Sequence, residues 1–238
     1  MTSVIVPSEI EGKPVTTIAE RALSSKSKLL KVTLPDSVTT IESRAFNDCS
    51  HLRSVDMGNG VKTIGTFAFS GCNELTSITL SENLTEIGES AFNQCSALTE
   101  LALPDSVATI GNGVFASCSK LKQVTLPNGL TSISESMFSD CSALTSVEIP
   151  DSVTSIEYRA FKNCLKLQQI PLPEGLTTIG EGAFYSCSGL EQITFPEGLT
   201  SMGASAFYNC SGLVQVTLPN GLTSTGTVSY THLRAHET

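Results

Sequence analysis

The chain has no tryptophan, four tyrosines and few bases, with 14 Lys and Arg against 23 Asp and Glu for a net charge of −9. That deficit argues against a nucleic-acid partner, whose phosphates call for a basic stripe. No apolar run approaches the roughly 18 residues a membrane helix needs. No Cys-x-x-Cys pair occurs, so the usual zinc-ligand spacing is absent. Glycines recur at turn positions and form no phosphate-binding loop. Met1-Thr2-Ser3 runs straight into Val4-Ile5-Val6, without the basic and long apolar regions of a signal peptide.

What the chain does have is a period. Cys49, Cys72, Cys95, Cys118, Cys141, Cys164, Cys187 and Cys210 stand 23 residues apart without a slip. Self-similarity at this length marks a leucine-rich-repeat type solenoid, whose units bury an apolar face only against their neighbours. The expected fold is a single right-handed solenoid with a parallel sheet on its concave face and short helical or 3-10 turns opposite. About nine turns at about 4.8 Å each would make a rod on the order of 45 Å long.

One repeat shows why. Ile87, Ala91 and Cys95 are four residues apart with Phe92 beside them, the spacing of a short helical face. From Leu98 the period changes: Leu101 and Leu103 alternate with Glu100 and Ala102, as in a strand with one buried face. Pro104-Asp105-Ser106 then supplies turn chemistry, repeated as Pro127-Asn128-Gly129 and Pro173-Glu174-Gly175. Phe46, Phe69, Phe92, Phe115, Phe138, Phe161, Phe184 and Phe207 form the matching aromatic column.

The ends differ. In the first turn Leu23 takes the Phe position and Lys26 the Cys position, and an insertion holding Glu11-Gly12-Lys13-Pro14 stretches Pro7 to Pro35 to 28 residues. Residues 1–34 therefore read as a divergent N-terminal capping repeat and 35–227 as regular repeats, the last one truncated. Val228–Thr238 resembles a translated sequencing adapter, which makes 228–238 an expected non-native tail and the chain a fragment of metagenomic type. Setting the tail aside removes His232 and His236 and leaves His51 as the one histidine.

The unit Leu-x-x-Val/Ile-x-Leu-Pro-x-x-Val/Leu-Thr-x-Ile-Gly-x-x-Ala-Phe-x-x-Cys resembles the BspA-like, or Treponema pallidum type, leucine-rich repeat from about Val4 to Leu222. Departures are local. Gly58 and Ser81 replace the turn Pro, Val114 and Met137 replace Ala, and Glu42, Ser134 and Glu157 replace the Gly after Ile. The resemblance implies a non-enzymatic cell-surface or secreted protein in adhesion or protein binding, with a host matrix or cell-surface protein as partner. It carries over no binding motif.

Candidate sites are few. The cysteines read as free thiols packed like small hydrophobes, because stacked Cβ atoms about 4.8 Å apart on parallel vectors do not suit a disulfide. His51 lies in a variable slot and reads as a solvated side chain, and no Ser or Thr column has a base beside it for nucleophilic catalysis. No cofactor or metal is expected. The outward strand residues are the candidate partner-binding surface: Ser54, Ser77, Glu100, Gln123, Ser146, Gln169, Gln192 and Gln215 in one column, and Asp56, Thr79, Thr125, Glu148 and Thr194 in the next. A passive spacer presenting a lost flanking domain, or a glycan-binding module, are the alternatives.

Overall fold

A computed structural model describes residues 2–214 and 216–226. The chain winds as a parallel-strand solenoid in which the repeat period sets every contact between neighbouring coils. Three hydrogen-bonded ladders, on different sides of the coil, hold it together.

The first ladder is the expected one. Thr2–Ile5, Leu29–Thr33, Ser54–Asp56 and Ser77–Thr79 pair side by side in parallel, and Glu100–Ala102 pairs with Gln123–Thr125. It is not one continuous sheet. Beyond Thr125 the pairing on this face, among the described residues, is reduced to an isolated bridge between Gln169 and Gln192. Pro171 stands in this stretch and has no N–H to give a ladder. No side chain accounts for the earlier gap between Thr79 and Glu100.

The second ladder was not anticipated. The residues that looked like the start of a helical face are short strands: Thr17–Ile18, Thr40–Ile41, Thr63–Ile64, Glu86–Ile87 and Thr109–Ile110 form one five-stranded parallel sheet. Ser132–Ile133, Ser155–Ile156, Thr178–Ile179, Ser201–Met202 and Ser224–Thr225 form another. Ile41, Ile64, Ile87, Ile133 and Ile156 are wholly buried, so the second residue of each pair is the one facing the core.

The third ladder replaces the expected helical or 3-10 turns, and no helix occurs among the described residues. In the Phe92 coil, Ala91, Asn93 and Cys95 donate backward to Gly88, Ser90 and Phe92, each closing a four-residue turn. The amides between them, on Ser90, Phe92 and Gln94, instead donate to Asn112, Val114 and Ala116 of the next coil, at 2.8, 3.0 and 2.8 Å. Aiming alternate N–H groups along the stack requires left-handed backbone at Ser90 (φ 52°) and Gln94 (φ 60°), which a right-handed helix excludes. The same two positions are left-handed in each coil from Arg44 and Asp48 to Ser205 and Asn209, with Gly71, Gly113 and Gly182 among them. A four-residue apolar spacing is thus compatible with a chain of turns when the neighbours offer carbonyls.

The core lies between the ladders. Phe46, Phe69, Phe92, Phe115, Phe138, Phe161 and Phe184 are fully buried, and consecutive rings stack from Phe46 to Phe207 at 5.0–5.9 Å between centroids. Each buried ring stabilises the fold by about 1.5–3 kcal/mol through loss of apolar surface to water. The coils also approach closely: a Cβ on Gly111 would lie 2.4 Å from the Glu89 nitrogen, so that step has no room for a side chain.

Departures from the repeat are repaired locally. Where Ser81 replaces the turn Pro, its buried Oγ accepts the Asn83 N–H at 3.2 Å and reinforces the turn that the Leu84 N–H to Ser81 carbonyl bond closes at 3.1 Å. Near the N-terminus the insertion is a two-stranded hairpin, Glu9–Ile10 against Lys13–Pro14, turned through Glu11 (φ 52°) and Gly12 (φ 73°).

Candidate functional site

Strand alternation sets the geometry of the outward face. Val55, Leu101, Val124, Val147, Ile170 and Ile193 are buried, so their flanking residues point out. Asp56, Ser77, Thr79, Glu100, Gln123, Thr125, Ser146, Glu148, Gln169, Gln192 and Thr194 are exposed, and Ser54 is half-buried. Gln215 lies outside the described residues. Parallel register sets Ser54 beside Ser77, Asp56 beside Thr79, Glu100 beside Gln123 and Gln169 beside Gln192. The candidate columns therefore lie side by side on one face.

The face is not flat. A hollow of about 540 Å³ is bounded by Gln123, Thr125, Ser146, Glu148 and Gln169 together with Asn128 and Asp151. Two further hollows border it, one along Thr76–Thr79, Glu100 and Gln123, the other between Gln169–Leu172 and Gln192–Pro196. Asn128, which the sequence places in a turn, and Asp151, in the equivalent turn of the next coil, line the same hollow as the strand residues. The signal was present in the Pro-Asp and Pro-Asn steps, since a turn that directly follows an outward strand shares its rim.

Charge divides the face. Over strand and following turn, residues 30–37, 53–60 and 76–83 carry Asp36, Asp56 and Glu82 against Lys31 and Arg53. Residues 99–106, 122–129, 145–152, 168–175 and 191–198 carry Glu100, Asp105, Glu148, Asp151, Glu174, Glu191 and Glu197 against Lys122 alone. The more acidic part is also where strand pairing thins out.

The remaining candidates have ordinary surroundings. Each thiol of the column donates to a carbonyl in the preceding coil, Cys72 to Phe46 at 3.2 Å and Cys118 to Phe92 at 3.1 Å, with Cys49 reaching Leu23. All eight are free and buried. Burial raises the pKa of the Cys118 thiol from 9.0 to about 12 and pushes Cys72, Cys95, Cys141, Cys164 and Cys210 up as well. Such thiols are poor nucleophiles and poor metal ligands. No group of three or more His, Cys, Asp or Glu suited to a metal occurs among the described residues. His51 is exposed, with Nδ1 3.1 Å from the Ser50 hydroxyl and Nε2 3.9 Å from Glu74, which also pairs with Arg53 at 2.9 Å. No helix of the described residues is long and apolar enough to cross a membrane.

Stacked parallel strands, an inward leucine column and an outward polar face define a solenoid of the leucine-rich-repeat class. The BspA type leucine rich repeat region matches residues 16–144 and 109–235 with six copies, and the chain belongs to that family. It is similar to a leucine-rich repeat protein from Bacteroides ovatus, with 31% identity over 96% of this chain and 60% of that one and a TM-score of 0.90. A Treponema pallidum leucine-rich-repeat protein is 31% identical over 79% of this chain and 77% of its own, with a TM-score of 0.64. A leucine-rich cell surface protein from Faecalibacterium prausnitzii is 28% identical over 92% and 76%, with a TM-score of 0.56. The chain thus spans only about 60% of the length of the Bacteroides protein. Curated proteins yielded no match.

Proposed function

We propose that the protein is a non-catalytic, surface-displayed interaction module that binds a protein partner on its outward strand face. The observation that carries this reading is the run of exposed polar residues lining adjoining hollows from Thr76 to Pro196. Solenoids of this class offer an extended strand face to partners. The similarity to a cell surface protein of Faecalibacterium prausnitzii supports display at the cell surface.

The charge of the face narrows the partner. In the five strand-and-turn segments from 99–106 to 191–198, seven carboxylates against one lysine favour a lysine- or arginine-rich protein segment and speed its encounter with the face. No aromatic anchor stands in the two outward columns, so contacts would be spread over many residues and sensitive to salt. The test is a titration of the full chain with an arginine-rich peptide at low ionic strength. The variant Gln123→Arg/Thr125→Arg/Glu148→Arg, changed only on the face, is expected to lose the binding that the parent chain shows. Unchanged affinity in the variant would place any binding elsewhere and leave a spacer role as the better account.

A further inference from the structure

Three of the four tyrosines stand on the turn side of consecutive coils, as Tyr158, Tyr185 and Tyr208. Tyr185 and Tyr208 take a place that earlier coils give to Asn47, Ser70, Asn93, Ala116 and Ser139. Their rings stack at 4.9 Å between centroids and 20° between planes, with Tyr185 half-buried and Tyr208 exposed. Leu165 adds apolar surface, 46% exposed, where every other cysteine of the column is followed by Ser or Asn.

Arg159 joins the stack to Tyr158. Its guanidinium lies 4.6 Å from the centroid of the Tyr158 ring. Beside its stem the next coil has Gly182 in left-handed backbone (φ 60°), where a Cβ would lie 3.4 Å from Arg159 Cγ and 3.7 Å from Tyr185 Cβ. Gly182 therefore leaves a shallow notch with the arginine stem on one side and Tyr185 on the other. The ion pairs among the described residues join Arg21 to Glu20, and His51 and Arg53 to Glu74, so none reaches Arg159, Lys162 or Lys166. A guanidinium held against a ring, with no carboxylate on its N–H fork, is prepared to receive one. Residues 157–167 carry these three bases against Glu157, and no other turn segment between residues 42 and 213 has more than one Lys or Arg. The Glu157 carboxylate accepts the Ser155 hydroxyl at 2.7 Å, and Glu181 is the acid of the adjoining coil.

We propose that Tyr158, Arg159, Lys162, Tyr185 and Tyr208 form a second interaction surface, on the turn side, that takes an acidic protein segment. A carboxylate of the partner lies on the Arg159 fork, and an apolar side chain beside it packs on the stacked tyrosines. Tyrosine and arginine are the residues that dominate the buried centres of protein interfaces. A sulfated glycan fits less well, because Glu157 and Glu181 interrupt the basic groups and the tyrosines offer a sulfate no positive charge. The surface uses none of the outward strand residues and stands or falls independently of the partner proposed for them.

The experiment is a fluorescence-anisotropy titration of the full chain into a dye-labelled glutamate-rich peptide with one central phenylalanine. It is run at physiological ionic strength, where a Debye length of about 8 Å screens the chain's more distant carboxylates. Arg159→Gln is expected to weaken binding about tenfold or more, the scale of a charge-assisted hydrogen bond, and Arg159→Lys to recover only part of it. Tyr185→Ser/Tyr208→Ser is expected to weaken it several-fold, as is replacing the peptide's phenylalanine by serine. Arg44→Gln is the control: Arg44 also lies over a ring, Phe67 at 5.0 Å, but its segment carries Glu42 and Asp48 and no tyrosine. That variant is expected to bind like the parent chain, and thermal melts of all variants show that the fold is kept. No binding by the parent chain would overturn the proposal, as would an Arg159→Lys variant as tight as the parent or an equal loss in Arg44→Gln. Tighter binding of a heparin oligosaccharide, lost in Arg159→Gln, would overturn it in favour of a glycan.

Discussion

Each thiol in the column has two jobs at residue scale: it fills a small apolar space, and it donates to a buried carbonyl. Phe92 O accepts both the Cys95 amide at 3.1 Å and the Cys118 thiol at 3.1 Å, so a side chain without a donor leaves half of that carbonyl's capacity unmet. Cys118→Ala is expected to destabilise the chain by about 1–3 kcal/mol in urea melts, and Cys118→Ser by less because it keeps a donor. Equal losses would show that packing alone matters. The same burial makes stability fall in alkali. The folded thiol at Cys118 titrates at about 12 against 9.0 when unburied, so above pH 9 the unfolded chain gives up protons first and gains stability relative to the folded one. Its full contribution is present below pH 9 and is lost progressively towards about 12; a urea midpoint that does not fall across that window would contradict it.

Between coils, the turn ladder is the most continuous bonding in the molecule, running from Arg21 to Tyr208 while the outward sheet breaks up. Amides of Phe92, Phe115, Phe138 and Phe161 should therefore be among the slowest to exchange with solvent, and those of Ser146–Glu148 distinctly faster. Left-handed backbone at Ser117 (φ 61°) makes a further demand on side chains. Ser117→Val should cost about 1–2 kcal/mol, because a β-branched residue tolerates that backbone poorly, and Ser117→Gly should cost nothing measurable by thermal melting. The repeat, its strand and its Phe column were legible because burial imposes the same residue at the same place in every coil. The turn ladder was not legible, since Ile87, Ala91 and Cys95 satisfy helical spacing equally well. What distinguishes the two is where the Ser90, Phe92 and Gln94 amides point. The Ser, Asn, Asp and Gly content of the left-handed columns was the available sign.

As a whole molecule, the protein is a scaffold whose interior is dictated by repetition and whose outward face is not. That difference explains the uneven reading of the candidate site. Strand alternation determined that Gln123, Thr125 and Glu148 point outward, whereas the hollow they share with Asn128 and Asp151 depends on how far neighbouring coils separate, which no single repeat encodes. The proposed binding rests on the part that varies from coil to coil, above all its charge. The most direct measurement is a comparison of two variants with equal net charge, both titrated with an arginine-rich peptide. One is Glu148→Gln/Asp151→Asn/Glu174→Gln/Glu197→Gln on the outward face; the other is Glu42→Gln/Glu89→Gln/Glu135→Gln/Glu181→Gln on the turn segments. The account predicts that the first loses about tenfold or more in affinity, worth about 1.4 kcal/mol, and that the second stays close to the parent chain. Equal losses in both would contradict it, because attraction to the overall negative charge would then explain the binding.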